Sequence, residues 1–209
     1  MNETYQKARR HLSRRDPVLK AVIQRAGKCL LEPKPDDPLR LLVRCVISQQ
    51  ISTKAAASIY DRLAAKVKEP FTVAKLRKLT EADFRACGFS GGKYRAVVAI
   101  LDHVTADRAF LKSLPDLEDE PFRAAVTQIK GLGPWSADML LMFGFARLDV
   151  LPVGDLGIKL AFRDLYGLAE LPTAARMEEI AEPWRPYRTV ASWYLWRTRD
   201  AAWKGAEMT

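Results

Sequence analysis

The sequence predicts an all-α protein, and three observations carry that reading. Apolar residues recur at three- and four-residue intervals through most of the 209 residues. β-Branched residues alternate with polar ones over no useful length, which removes the strand signal. Twelve prolines punctuate the apolar segments, each at a place that suits a first turn or a connection better than a helix interior. In chain order, Leu39, Leu42, Val43, Val46 and Ile47 form one stripe, and Ala55, Ala56, Ile59, Tyr60 and Leu63 form the next, after Ser52 as a cap. Further helices are predicted from near Tyr94, Phe122 and Tyr187, giving nine or ten in all with short links. The acidic, proline-bearing link around 113–121 is the best candidate for a seam between two lobes.

Composition narrows the class. Hydrophobic residues make up 48% and charged residues 28%, a balance that excludes a disordered tail, a collagen-like rod or a disulfide scaffold. The length suits one or two domains, since folded units usually run to about 100–200 residues. No apolar run reaches the roughly 18 residues of a membrane span, and the polar opening Met1 to Lys7 lacks the apolar core of a signal peptide. Cys29, Cys45 and Cys87 are odd in number and scattered, which suggests reduced thiols inside a cell. With only His11 and His103 to help them, a metal enzyme is disfavoured. The 34 Lys and Arg outnumber 25 Asp and Glu, for a net charge of +9. Eight basic and two acidic residues fall within 1–30, which reads either as a solvated surface or as a footprint for phosphates.

The most informative segment is Ile129-Lys130-Gly131-Leu132-Gly133-Pro134-Trp135-Ser136-Ala137. A helix ends near Ile129, two glycines permit a tight reversal, and Pro134 suits the first turn of the next helix. Such a turn presents backbone N–H groups at a helix start, where a phosphate oxygen is accepted and a Cβ would hold it off. An ordinary helix–turn–helix connection has the same look. Twenty residues on, Val153-Gly154-Asp155-Leu156-Gly157-Ile158-Lys159 places an acid at the head of another helix. Asp155 is most simply a cap. A carboxylate held rigid by helix N–H donors is also suited to face a developing positive charge, so the two roles are compatible.

Together these segments resemble the helix–hairpin–helix, Gly/Pro-rich loop and aspartate signature of the helix–hairpin–helix DNA glycosylases. Leu42 to Ser52 is similar to the early helix and turn of that superfamily. Trp135, the run Trp184-Arg185-Pro186-Tyr187-Arg188 and Trp196 resemble its 3-methyladenine DNA glycosylase II class. The resemblance covers roughly residues 15–200. Larger members add an N-terminal β domain, for which the chain offers no room.

The resemblance implies a two-lobed helical fold with the active site in the cleft between lobes, lobe one near 35–115 and lobe two near 1–34 plus 116–209. It implies base-excision repair: a damaged base is rotated out of the duplex, and the N-glycosidic bond breaks through a sugar with oxocarbenium character. Asp155 stands at the catalytic position, to stabilise that cation and to orient or deprotonate water. Alkylated purines such as 3-methyladenine and 7-methylguanine already carry positive charge and leave readily. Trp135 occupies the position that holds a nucleophilic lysine in strand-cleaving relatives, so the resemblance implies a monofunctional enzyme that leaves an abasic site. Trp135, Trp196 and Met139 are the base-pocket candidates, through cation–π contacts for the tryptophans. Trp196 reads equally as core. Trp184, Trp193 and Trp203 read as core or surface. Met139 replaces an aromatic found in some relatives, which predicts a wider or less selective pocket.

For DNA contact the resemblance points to Gln50 as the residue filling the gap left by the extruded base. Ser48, Gln49 and Ser52 assist on phosphates. It adds Gly91, Gly92 and Lys93 as a second DNA-facing turn, and Lys130, Gly131, Leu132 and Gly133 in the hairpin. A plain loop glutamine and an exposed lysine remain the ordinary alternatives. No cofactor is implied, beyond the monovalent cation, Na or K, that family hairpins often hold, here on the backbone of Ile129, Gly131 and Pro134. The expected partner is double-stranded DNA with a damaged base, bound by an intracellular monomer with no membrane contact, cytoplasmic or at the nucleoid if the source is bacterial. The competing readings are a DNA-binding module without chemistry and a glycosylase for another lesion.

Overall fold

A computed structural model describes residues 3–68 and 70–200. Met1, Asn2 and Trp203 lie outside them. Among the described residues there is no strand, as the apolar spacing predicts. The chain divides into two compact units, Lys34–Phe145 and the described residues of Met1–Pro33 with Ala146–Thr209. It opens with α1 (Glu3–Arg15) and α2 (Pro17–Ala26). The Lys34–Phe145 unit then carries α3 (Pro38–Ser48), α4 (Thr53–Val67), α5 (Val73–Leu76), α6 (Glu81–Cys87), α7 (Gly91–Ala106), α8 (Phe110–Ser113), α9 (Asp119–Thr127) and α10 (Pro134–Met139). A π-helical turn, Leu140–Gly144, continues α10. The chain closes with α11 (Leu156–Leu165), α12 (Ala174–Ala181) and α13 (Arg188–Arg197). The thirteen α-helices among the described residues exceed the nine or ten expected because several, such as the four-residue α5 and α8, are too short to show an apolar period.

In the Lys34–Phe145 unit α3 is the central element, with Leu39, Leu41, Leu42, Val43, Cys45, Val46 and Ile47 all buried. It packs on α4, α7, α8, α10 and the π-helical turn. Residues 116–145 therefore group with 34–115, and not with the termini as the expected lobes had them. The acidic link is no seam: a 3₁₀ turn, Leu114–Asp116, anchors it through buried Leu114, and α9 follows at once. The Ser52 cap is as expected, its Oγ accepting from Ala55 N at 3.3 Å, and the structure adds Ser90 as the cap of α7, its Oγ accepting from Lys93 N at 3.3 Å.

In the other unit α13 packs on α1, α2 and α11. It is buried all round from Thr189 through Leu195, as a central helix must be, and its polar Thr189 and Ser192 hydroxyls are spent on backbone carbonyls. The N-cap of α2 is Asp16, whose Oδ1 accepts from Val18 N at 2.8 Å and Leu19 N at 3.0 Å. Its Oδ2 accepts from Tyr166 Oη at 2.7 Å and Trp184 Nε1 at 2.8 Å. One buried carboxylate so ties α2 to the end of α11 and to the 3₁₀ turn at Trp184, and burial, reinforced by the Asp16 contact, pushes the Tyr166 phenol up. Trp184 stacks on Phe162 and is wholly buried, and Trp193 is buried as well; both are core.

Candidate active site

The hairpin is built by two buried anchors and one demanding glycine. Ile129 and Leu132 sink their side chains into the Lys34–Phe145 unit, and Leu132 N donates to Ile129 O at 3.0 Å, closing the turn. Gly131 has φ +97°, and a Cβ there would fall 2.6 Å from Ala96 Cβ on α7. Glycine is required for its left-handed backbone and for close packing at once. The sequence argument that a Cβ would fend off a phosphate is therefore secondary at Gly131. It keeps its force at Gly133, where a Cβ would meet nothing within 4 Å. Gly133 caps α10, and Pro134 sits at its first position. Lys130 is exposed. The side chain of Leu132 is core and its N–H is spent on Ile129, so neither is placed for the DNA contact expected of it.

Three other predicted residues gather around this turn. Gln49 Nε2 donates to Gly131 O at 3.0 Å and lies 3.0 Å from Ser136 Oγ. Lys93 Nζ donates to Ile47 O at 2.7 Å, capping the end of α3, and burial lowers its ammonium from the ordinary value. Both side chains thus brace the fold where phosphate contacts were expected. Gln50 is exposed and has φ +57°, a left-handed conformation uncommon for a residue with a Cβ. Ser48 Oγ donates to Cys45 O at 2.8 Å. Gly91 and Gly92 open α7 beside Lys93. The end of α3, the start of α7 and the hairpin therefore form one cluster inside a single unit.

Sequence reasoning missed the residues beneath that cluster. Cys45 Sγ donates to Ser136 O at 3.6 Å, and burial holds its thiol protonated, pushed up to about 12. Asp138 is buried, and Arg123 Nε donates to its Oδ1 at 2.8 Å. Burial raises the Asp138 carboxyl, and the Arg123 guanidinium offsets part of that rise. The exposed end of the same arginine reaches Glu120 at 2.6 Å. Of the carbonyls expected to hold a cation, Gly131 O accepts from Gln49 and Ile129 O from Leu132, and each oxygen keeps a second lone pair beside that bond. Among the described residues no group of three or more His, Cys, Asp or Glu is placed to hold a metal.

Asp155 belongs to the other unit and is the N-cap of α11. The segment leading to it is latched to the start of α13. Thr189 Oγ1 donates to Arg147 O at 2.7 Å and accepts from Val150 N at 3.0 Å. Arg188 grips Asp149 with a fork, Nε to Oδ1 at 2.8 Å and Nη2 to Oδ2 at 3.0 Å. Two short bonds, Val153 N to Leu151 O and Asp155 N to Pro152 O, each 2.9 Å, then shape the bend. The Asp155 carboxylate accepts on Oδ1 from Ile158 N at 2.9 Å and from Trp196 Nε1 at 3.0 Å. A Cβ on Gly157 would lie 3.1 Å from that oxygen and 3.4 Å from Trp196 Cδ1, so glycine admits the indole. Trp196 is half-buried, and its N–H is committed to the aspartate. Trp135 and Met139, the second and last residues of α10, are each half-buried.

Comparison with known proteins follows this geometry. The HhH-GPD superfamily base excision DNA repair protein family matches residues 43–186. DNA-3-methyladenine glycosylase 1 of Schizosaccharomyces pombe is 34% identical over 204 residues, covering 94% of this chain and 88% of that protein. The solved structure of the S. pombe 3-methyladenine DNA glycosylase in complex with abasic DNA superposes with a TM-score of 0.79 at 32% identity. It covers 93% of this chain and 98% of that one. A DNA-3-methyladenine glycosidase from Bacillus halodurans gives 0.75, also at 32% identity, covering 93% of this chain and 89% of that one. With its glycine hairpin and capped aspartate inside the matched span, the chain belongs to the HhH-GPD superfamily of base excision DNA repair proteins.

Proposed function

We propose that the protein is a monofunctional DNA glycosylase that hydrolyses the N-glycosidic bond of alkylated purines in double-stranded DNA and leaves an abasic site. The observation that carries this reading is the Asp155 carboxylate, fixed by one backbone and one indole N–H at the head of α11. As the C1′–N bond lengthens, the bonding pair leaves with the base and positive charge gathers on the sugar. A rigid carboxylate opposes that charge without reorganising, which is where electrostatic catalysis gains most. Water then bonds to C1′ and loses a proton toward the carboxylate. A methylated purine departs neutral because it was cationic beforehand, so no acid is needed at the base. Sequence kinship to 3-methyladenine glycosylases over nearly the whole chain supports this substrate class.

The remaining roles follow the chemistry of each side chain. Trp135 and Met139 contact the extruded base, the indole face favouring a cationic ring. An indole forms no Schiff base, hence hydrolysis without strand cleavage. Gln50, held exposed by its left-handed backbone, enters the space vacated by the base. Backbone N–H groups at Gly133 and at Gly91–Gly92, with Ser52 and Lys130, meet phosphates, while the Ser48 hydroxyl stays on Cys45 O. Gln49, Lys93 and Leu132 support those contacts from beneath. Asp155→Asn keeps the cap geometry and removes the charge. Release of 3-methyladenine from alkylated DNA should fall by at least about 10²-fold while duplex affinity stays within about twofold. Retained release would remove Asp155 from the chemistry.

A further inference from the structure

We propose that the Gln6–Arg14 face of α1 is a binding site for a phosphate group. A cavity of about 650 Å³ opens against it, lined by Gln6, Arg9, Arg10, Ser13 and Arg14 of α1 and by Ile23 of α2. These α1 positions share one stripe, next to the core stripe of Tyr5, Ala8 and Leu12. Arg9 Nε is buried and makes no hydrogen bond. Among the described residues no acidic side chain pairs with Arg9, Arg10 or Arg14, whereas on the same helix Lys7 meets Glu3 at 2.9 Å. Two titratable groups beside Arg9 are the Cys29 thiol and the Tyr194 phenol. Burial raises both, so neither supplies a negative charge at neutral pH. A buried donor without a hydrogen bond, beside two more guanidinium groups that no acidic side chain meets, is the donor set an anion requires.

The donor set selects the anion. Guanidinium forks match the oxygens of phosphate in pairs, and the Gln6 amide and Ser13 hydroxyl add neutral hydrogen bonds. Ile23 lines the cavity but is only 3% exposed, so the apolar surface there comes from the arginine stems. The cavity falls within the range of about 300–1,000 Å³ typical of small-ligand sites. A concave site of that size suits a soluble phosphate ester, its organic part against those stems, better than the open backbone of a duplex. Nothing here depends on the glycosylase chemistry of Asp155.

Calorimetric titration of the full chain with inorganic pyrophosphate in low-chloride buffer tests the site. Saturable binding is expected, weakened about tenfold or more in the double variant Arg9→Gln, Arg14→Gln. Absence of saturable heat, or equal affinity in the variant, overturns the proposal. Tighter binding of a tri-glutamate peptide than of pyrophosphate also overturns it, because the site would then read carboxylates. Binding of an undamaged duplex by the same variant separates the phosphate sources: unchanged affinity marks a soluble ester, and a parallel loss marks the nucleic-acid backbone. If the double variant melts early by circular dichroism, Arg14→Gln alone, at an exposed position, carries the test.

Discussion

The hairpin at 129–137 and the aspartate segment at 146–158 are both glycine-bearing turns that lead into helices, yet they are held in opposite ways. The hairpin is a backbone device. Its shape comes from Gly131, from the buried Ile129 and Leu132 beside it, and from Gln49 and Ala96, which close on the Gly131 carbonyl and Cα. The aspartate segment is a side-chain device. Its bend is ordinary, and its position comes from Arg188 and Thr189 on α13, with Trp196 fixing the carboxylate itself. A turn that offers N–H groups to a ligand must have the right path. A turn that offers one charged group must hold that group still. The first demand falls mainly on residues within the motif, braced by Gln49 and Ala96 from α3's end and α7, and the second falls on side chains some forty positions away.

Substitutions that strike one device and spare the other sharpen this contrast. Gly131→Ala should have the largest effect on stability, a loss of about 2–4 kcal/mol from the positive φ and the clash with Ala96. Gly133→Ala, facing open space, serves as its control in thermal denaturation, and similar losses at both glycines would break the backbone account. Trp196→Phe keeps most of the ring and deletes the donor to Asp155. It should lower kcat about tenfold with KM and duplex affinity nearly unchanged; a loss confined to affinity would make Trp196 a DNA-contact residue instead. Gln49→Ala should cost the least, about 1 kcal/mol in chemical denaturation. A larger drop in duplex affinity than in stability would return Gln49 to the phosphates.

The fold was legible because helices advertise themselves locally. The stripe on α3, the Ser52 cap and Pro134 at a first turn are all short-range patterns, and the structure shows each where the spacing puts it. The lobe boundary was not legible. Acidic residues at 116–120 suggest a solvated link, but the packing of α9 on α10 decides where that stretch belongs, and no local pattern reports it. The same divide runs through the candidate site. Asp155 as a cap could be read from its neighbours, while the Trp196 bond to it joins positions 41 apart and needs the packing of α13 on α11. Lys93 and Gln49 look like surface groups in the sequence because composition does not show that a long polar chain will turn inward onto a carbonyl.

Gly157 gives the aspartate segment an uneven tolerance to change. Three residues upstream, Gly154 borders empty space, and a methyl group there meets nothing within 4 Å. At 157 the smallest added carbon presses on the oxygen that Trp196 and Ile158 hold. Drift among descendants of this chain, or a library built to widen its lesion range, is accordingly free to sample position 154, whereas every variant at 157 is filtered by what it does to the charge beside it.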